Sequence, residues 1–325
     1  MTGLLPDNRP TITAANASRV TELAELPHRW GVTSLAFSPD GAYLATGHEA
    51  LRVWSLQTGD QVLALQAGDG VARAIDYDPD GRLLAVGSTD GTVRLWAVEA
   101  GVQMGVLRSE RTVLQSVAFS PDGRFVAAGS GDFYGEDSAE NVVHIWDSRT
   151  NWGCTTLHEP TSAVCLTFSP DGALLAVGEG TGTLWLWPVE LWSNPHQLTL
   201  TRSAVLDLAF SPDSQWLAGG GYNADGGAIA LWNVRTGTLH ATLSDPRTVI
   251  YSVAFSADGT LVAAGGGDGM DGPSPVHLWD AHTGVVVAEL PGHTRTVECV
   301  AFSPDGTVIA SGGRDAVRLW GVRGS

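Results

Sequence analysis

A 13-residue unit recurs seven times along the 325-residue chain, and a repeat of this kind decides the architecture before any single residue does. LAFSPDGAYLATG (35–47) returns as IDYDPDGRLLAVG (75–87), VAFSPDGRFVAAG (117–129) and LTFSPDGALLAVG (166–178). The later copies are LAFSPDSQWLAGG (208–220), VAFSADGTLVAAG (253–265) and VAFSPDGTVIASG (300–312). Each reads as an apolar strand, a tight turn and a second apolar strand. In the turn Pro pre-sets φ, Asp bonds the local backbone and Gly takes the left-handed position. Ser214 and Ala257 depart from SPDG and leave the strands readable.

A third strand ending in Trp follows every copy, at Trp54, Trp96, Trp146, Trp187, Trp232, Trp279 and Trp320. Over residues 19–321 this succession resembles the WD-repeat (Trp-Asp repeat) β-propeller family, in the form its bacterial members take. The literal Trp-Asp pair stands only at Trp146-Asp147 and Trp279-Asp280. The resemblance implies an all-β fold, a seven-bladed β-propeller of four-stranded antiparallel blades around a channel. It also implies a stabilising network joining His293, Ser311, Asp315 and Trp320, matched in full only in the seventh repeat. The first repeat offers His28, Thr46 and Trp54, with Glu49 near the Asp position.

Spacing adds detail. From the first-strand aromatic to the Gly closing the second strand the distance is always 10, and from each Trp to the next aromatic it is 23, once 22. Five residues follow Trp320, too few for a fourth strand. Residues 20–26, VTELAEL, stand at fourth-strand spacing before Phe37 and resemble VVVAEL (285–290). The ring is therefore expected to close by an N-terminal strand that completes the last blade. The chain then divides into a tail, 1–17, lying on the surface, and a single seven-bladed domain, 18–325.

Length variation concentrates in one connection, from second-strand Gly to third-strand Trp, where the spacings are 7, 9, 17, 9, 12, 14 and 8. In a propeller this connection opens at the top of the ring. The long segments DFYGEDSAEN (132–141), GYNADGGA (221–228) and GDGMDGPSP (267–275) are expected to project there as a binding rim. Neutral drift in tolerant hairpins is the competing reading. Phe133 and Tyr134 would supply apolar anchors and Glu136 and Asp137 charge, joined by Tyr222, Asp268, Met270 and Asp271.

A second column varies in identity. Four residues before each aromatic stand Thr33, Arg73, Gln115, Val164, Leu206, Tyr251 and Glu298, between uniformly apolar and small columns. The resemblance puts this column on the innermost strand near the top mouth. Arg73, Gln115, Tyr251 and Glu298 are the candidate contact residues.

The chemistry the chain lacks narrows the function. All 18 basic residues are Arg, so lysine nucleophiles and Schiff bases are excluded. The net charge of −17 argues against nucleic acid and against an anionic membrane surface. Cys154, Cys165 and Cys299 form no disulfide framework, and no catalytic Ser, zincin or phosphate-loop motif is present. The runs GGG at 219–221 and 265–267 read as turn material. Trp185, Trp187 and Trp192 make the fourth repeat aromatic, with Trp187 packed and Trp185 partly exposed, a weak peptide ledge. The first residues lack the charged and apolar regions of a secretory leader.

The expectation is a cytoplasmic, monomeric, non-catalytic scaffold without cofactor or metal. It would bind another protein or a peptide, basic ones favoured, through an acidic top face and the channel mouth. The alternative is an enzyme, or a small-molecule- or metal-binding propeller, using the same mouth. GDGMDG (267–272) and GEDSAEN (135–141) cluster carboxylates but match no calcium loop.

Overall fold

The computed structural model describes residues 3–28, 31–66, 68–109, 113–131, 142–157, 162–199, 204–245, 248–268 and 272–324. These form 28 strands in seven four-stranded antiparallel sheets. Inner strands pack against one another in sequence order around a ring, and the inner strand of blade seven (Val297–Phe302) meets that of blade one (Ser34–Phe37). Blade seven is completed by Thr21–Leu26, paired antiparallel to Val317–Gly321. The seven-bladed ring with its N-terminal closing strand is thus as the family resemblance and the repeat spacing imply. Closure buries what would have been an open edge and joins two ends of the chain. No helix among the described residues is long and apolar enough to cross a membrane.

The core lies between blades. One cluster mixes Leu51, Val53 and Leu65 of blade one with Ile75, Leu84 and Val86 of blade two, and comparable clusters follow around the ring. Side chains alternate across a strand, so each blade feeds both of its neighbours.

The SPDG turns are tied by one hydroxyl and one carboxylate. Ser38 Oγ donates to Asp40 Oδ1 at 2.6 Å, Asp40 accepts the Ala42 N–H, and the Tyr43 N–H reaches Ser38 Oγ. The Ser38 hydrogen bond, followed by that from Ala42, holds the Asp40 carboxyl below its usual range. Ser214, in the Gly position, takes φ 59°, the left-handed conformation the turn demands of any residue there.

Two expectations change. The GGG runs are strand rather than turn, inside Trp216–Asn223 and Leu261–Gly267. A Cβ on Gly221 would stand 1.8 Å from Ala204 O, and one on Gly266 2.2 Å from Val249 O. Close backbone approach, not turn conformation, selects glycine there. The long connection of blade five is likewise extra strand: Asn223 pairs with Gly226, so the hairpin grows taller and only two residues turn.

The segment preceding the closing strand is partly internal. Ile12 is fully buried in the core between blades six and seven, its N–H bonded to Gly306 O at 2.8 Å. Leu5 enters the core between blades seven and one beside Leu56 and Val308, and the Leu4 N–H bonds to Gln57 O.

Candidate functional site

The varying column has a backbone cause. In blades two to seven the ladder between the two inner strands slips by one residue at the same place. The extra residues are Arg73, Gln115, Val164, Leu206, Tyr251 and Glu298. A bulged residue has no cross-strand partner and its side chain is re-aimed, so packing does not dictate its identity. Thr33, its counterpart in blade one, precedes the first ladder pair, Ser34–Gly47. All seven line one central cavity of about 440 Å³.

The mouth carries both charges. Glu298 Oε1 accepts from Arg314 Nε at 3.0 Å, and Gln115 Nε2 donates to Gly131 O at 3.2 Å. The Arg73 side chain has no hydrogen bond or ion pair to any described residue. Tyr222 and Asp268 are exposed on the rim. Phe133, Tyr134, Glu136, Asp137, Met270 and Asp271 lie outside the described residues.

Sequence reasoning missed two carboxyls deeper in the cavity. Asp76 Oδ2 accepts the Phe119 N–H of the next blade at 2.8 Å, and Asp207 Oδ2 accepts the Val253 N–H at 2.9 Å. Burial pushes Asp76 up to about 7 and Asp207 up to about 6, against their backbone hydrogen bonds. Both keep partial exposure to the channel, so they can exchange protons near neutral pH. The legible signal was a carboxylate in a column of small residues: Asp207 replaces Ser34, Ser116 and Ser252, and Asp76 replaces Ala36, Ala118 and Ala301. The serines do the same bridging, since Ser34, Ser116 and Ser252 accept the N–H of Ile75, Leu166 and Val300 from the following blade. Cys165 and Cys299, buried, donate instead to Val205 O and Val32 O.

Much of the acidity at the top is engaged in structure. Asp90 pairs with Arg94 at 3.0 Å, and Glu179 is buried. In blade seven His293 joins Asp315 and Ser311, each at 2.7 Å, and Trp320 Nε1 donates to Ser311 Oγ at 2.8 Å. Blade one has a shorter version, with Thr46 Oγ1 3.2 Å from His28 Nε2 and accepting from Trp54 at 3.1 Å. Arg52 donates to the same His28 nitrogen, and Glu49 plays no part among these contacts. The rings of His144 and His277 lie tilted beside Trp146 and Trp279 of their own blades, at 5.5 and 5.2 Å. No cluster of three metal-ligating side chains exists among the described residues. Trp192 stands edge-on to Phe125 at 5.3 Å and lines a side cavity between blades three and four; Trp187 is buried and Trp185 half-buried.

The family model for the WD domain, G-beta repeat, matches seven times, over 21–55, 59–97, 101–147, 153–188, 194–233, 237–270 and 284–320. The chain belongs to the WD40-repeat family. Apoptotic protease-activating factor 1 of Rattus norvegicus is 30% identical to this WD40-repeat chain over 222 residues, 65% of the chain and 17% of that protein. WD repeat-containing protein 70 of Xenopus tropicalis is 32% identical over 98 residues, 28% of the chain and 16% of the relative. The Drosophila melanogaster WD repeat-containing protein 26 homolog is 37% identical over 81 residues, 22% and 12% of the two. The matched region thus spans less than a fifth of each of these relatives. WD40 propellers of this family generally bind other proteins, and an interaction scaffold is the coarse reading for this one.

Proposed function

We propose that this WD40-repeat chain is a non-catalytic scaffold that takes another protein or a peptide on its acidic top face and channel mouth. The observation that carries the reading is the run of bulged residues. Six blades re-aim one side chain each into a common mouth, and the Arg73 side chain arrives there with no partner among the described residues. The charge of −17 favours basic ligands, mainly through on-rate and selectivity. A monomeric, cytoplasmic protein of bacterial type, without cofactor and binding neither nucleic acid nor membrane, completes the proposal. Apoptotic protease-activating factor 1 is by its name an activator of a protease, and action on another protein agrees with this reading.

A small molecule in the channel is the second reading, supported by Asp76 and Asp207 in a 440 Å³ cavity. Affinity capture with the wild-type chain and with a triple variant, Arg73→Ala, Tyr251→Ala, Glu298→Gln, separates the two. Loss of a captured protein at unchanged melting temperature supports the scaffold. Undiminished capture overturns the mouth as the binding site, and a metabolite retained in native mass spectrometry favours the channel.

A further inference from the structure

The side of the ring repeats one groove between successive blades, and the chain fills two copies of it with itself. Between blades six and seven, Ile12 sits in a core with Val322, against which Val287 and Phe302 pack. Between blades seven and one, Leu5 lies with Leu56, and Leu4, Leu23 and Phe37 pack on the same core. Leu23 and Val287 are equivalent, each the extra residue of a bulge in its outermost strand. Val322 and Leu56 each stand two residues beyond the repeat Trp.

The next groove, between blades one and two, has the same three positions as Val62, Val98 and Tyr77. No described residue of the tail enters it. It is a cavity of about 480 Å³, and Val62, whose counterparts Leu23 and Val287 in the two filled grooves are half-buried, is here 46% exposed.

Tyr77 distinguishes this copy, and the charge beside it bears on the occupant. Tyr77 stands where the other six repeats have Phe; it is buried, with 5% exposure, and its hydroxyl makes no hydrogen bond to any described residue. Burial without a partner is a standing cost, and it is removed by a polar group brought into the groove. Asp40, Asp80 and Glu99 line the same cavity. Asp40 is committed to its turn through Ser38 and the Ala42 N–H, while Asp80 and Glu99 are exposed carboxylates at the edge.

We infer that the groove between blades one and two is a second docking site, for an extended peptide that presents one aliphatic residue flanked by arginine or lysine. The peptide repeats what Thr11 and Ile12 do in cis: the aliphatic side chain covers Val62 and Val98, and its backbone N–H reaches Gly81 O as Ile12 reaches Gly306 O. A backbone carbonyl of the peptide accepts from Tyr77 Oη, and the basic flanks meet Asp80 and Glu99. The site is on the side of the ring and stands independently of the channel-mouth reading.

The probe is a fluorescein-labelled peptide carrying the chain's own Thr11-Ile12-Thr13 triplet between two arginines, titrated onto the intact protein by fluorescence anisotropy. Saturable binding is expected, lost when the central isoleucine of the probe is replaced by aspartate. Tyr77→Phe, which restores the residue of the other blades, keeps the fold and weakens binding about fivefold. Asp80→Asn with Glu99→Gln weakens it further and flattens its salt dependence. Arg73→Ala changes nothing here, so failure of this site and failure of the mouth are read separately. The inference is overturned if the aspartate probe binds equally, or if Tyr77→Phe and the charge variants leave affinity unchanged. It is also overturned if sedimentation shows that the groove takes the tail of a second copy instead.

Discussion

Arg318 Nη1 lies 2.6 Å from Glu22 Oε2, a contact between residues 296 positions apart that clasps the closing strand to the last blade. Arg318 Nη2 also reaches Glu25 at 3.0 Å, and the Arg318 side chain is only 15% exposed. Arg318→Met keeps the apolar stem and leaves the two carboxylates unpaired. The expected loss is about 1–2 kcal/mol in urea unfolding, most of it from Glu22, because Glu25 is half exposed and screened.

The blade-seven network predicts acid sensitivity. Burial, outweighing the hydrogen bond and charge of Asp315, holds the His293 pKa below 6.5. The unfolded chain therefore takes up a proton that the folded chain refuses, and stability falls as pH drops below about 6.5. Burial works against ionising Asp315, but hydrogen bonds from His293 and the Thr294 N–H win and hold it below its usual range. Its contribution is lost in the same direction, at lower pH, as the medium falls through 3.8. Ser311→Ala orphans both His293 Nε2 and Trp320 Nε1 and should cost about 2 kcal/mol or more. His293→Gln should remove the part of the pH dependence that sets in as pH falls below 6.5, read from melting temperature against pH.

Asp76 works with the opposite sign. Its folded pKa of about 7 lies above the unfolded 3.8, so the folded state holds the extra proton and stability declines as pH rises between these values. Asp76→Asn keeps an oxygen for the Phe119 N–H and cannot ionise. Its melting temperature should exceed that of the wild type at pH 8, and the gain should shrink at pH 5.

Gly221→Ala should be far worse than an ordinary glycine substitution. Its Cβ would meet Ala204 O at 1.8 Å, and a backbone carbonyl beside the Leu206 bulge cannot step aside as a side chain does. Soluble yield and circular dichroism should show a chain that folds poorly, whereas Gly105→Ala, whose Cβ meets nothing within 4 Å, should behave as the wild type.

Ile12→Ala should cost about 2–4 kcal/mol, the penalty of a cavity in a closed core. A surface-lying tail would lose almost nothing, so chemical denaturation separates the two.

The number of blades, their order and the turn chemistry were legible because each rests on neighbours within about 13 residues. The network of His293, Ser311, Asp315 and Trp320 was legible through the family resemblance. The candidate mouth was legible as a column but not explained. A bulge is a mismatch between two strands, and neither strand's letters display it. Asp76 and Asp207 stood in plain view as odd residues in small-residue columns, yet their partners Phe119 and Val253 come from other blades.

Seven copies of one three-strand unit, their turns and the fourth-strand place of residues 20–26 were readable from the letters, because strand period, turn residues and fixed spacing act locally and repeat, and the family resemblance made of them a seven-bladed ring. The assembled ring settles which side chains the bulges turn into the channel. It alone decided that two carboxyls end where water is scarce, and which side grooves Ile12 and Leu5 fill. The physical reason is common to all three: each depends on what the adjacent blade places opposite, and that neighbour exists only once the ring has closed.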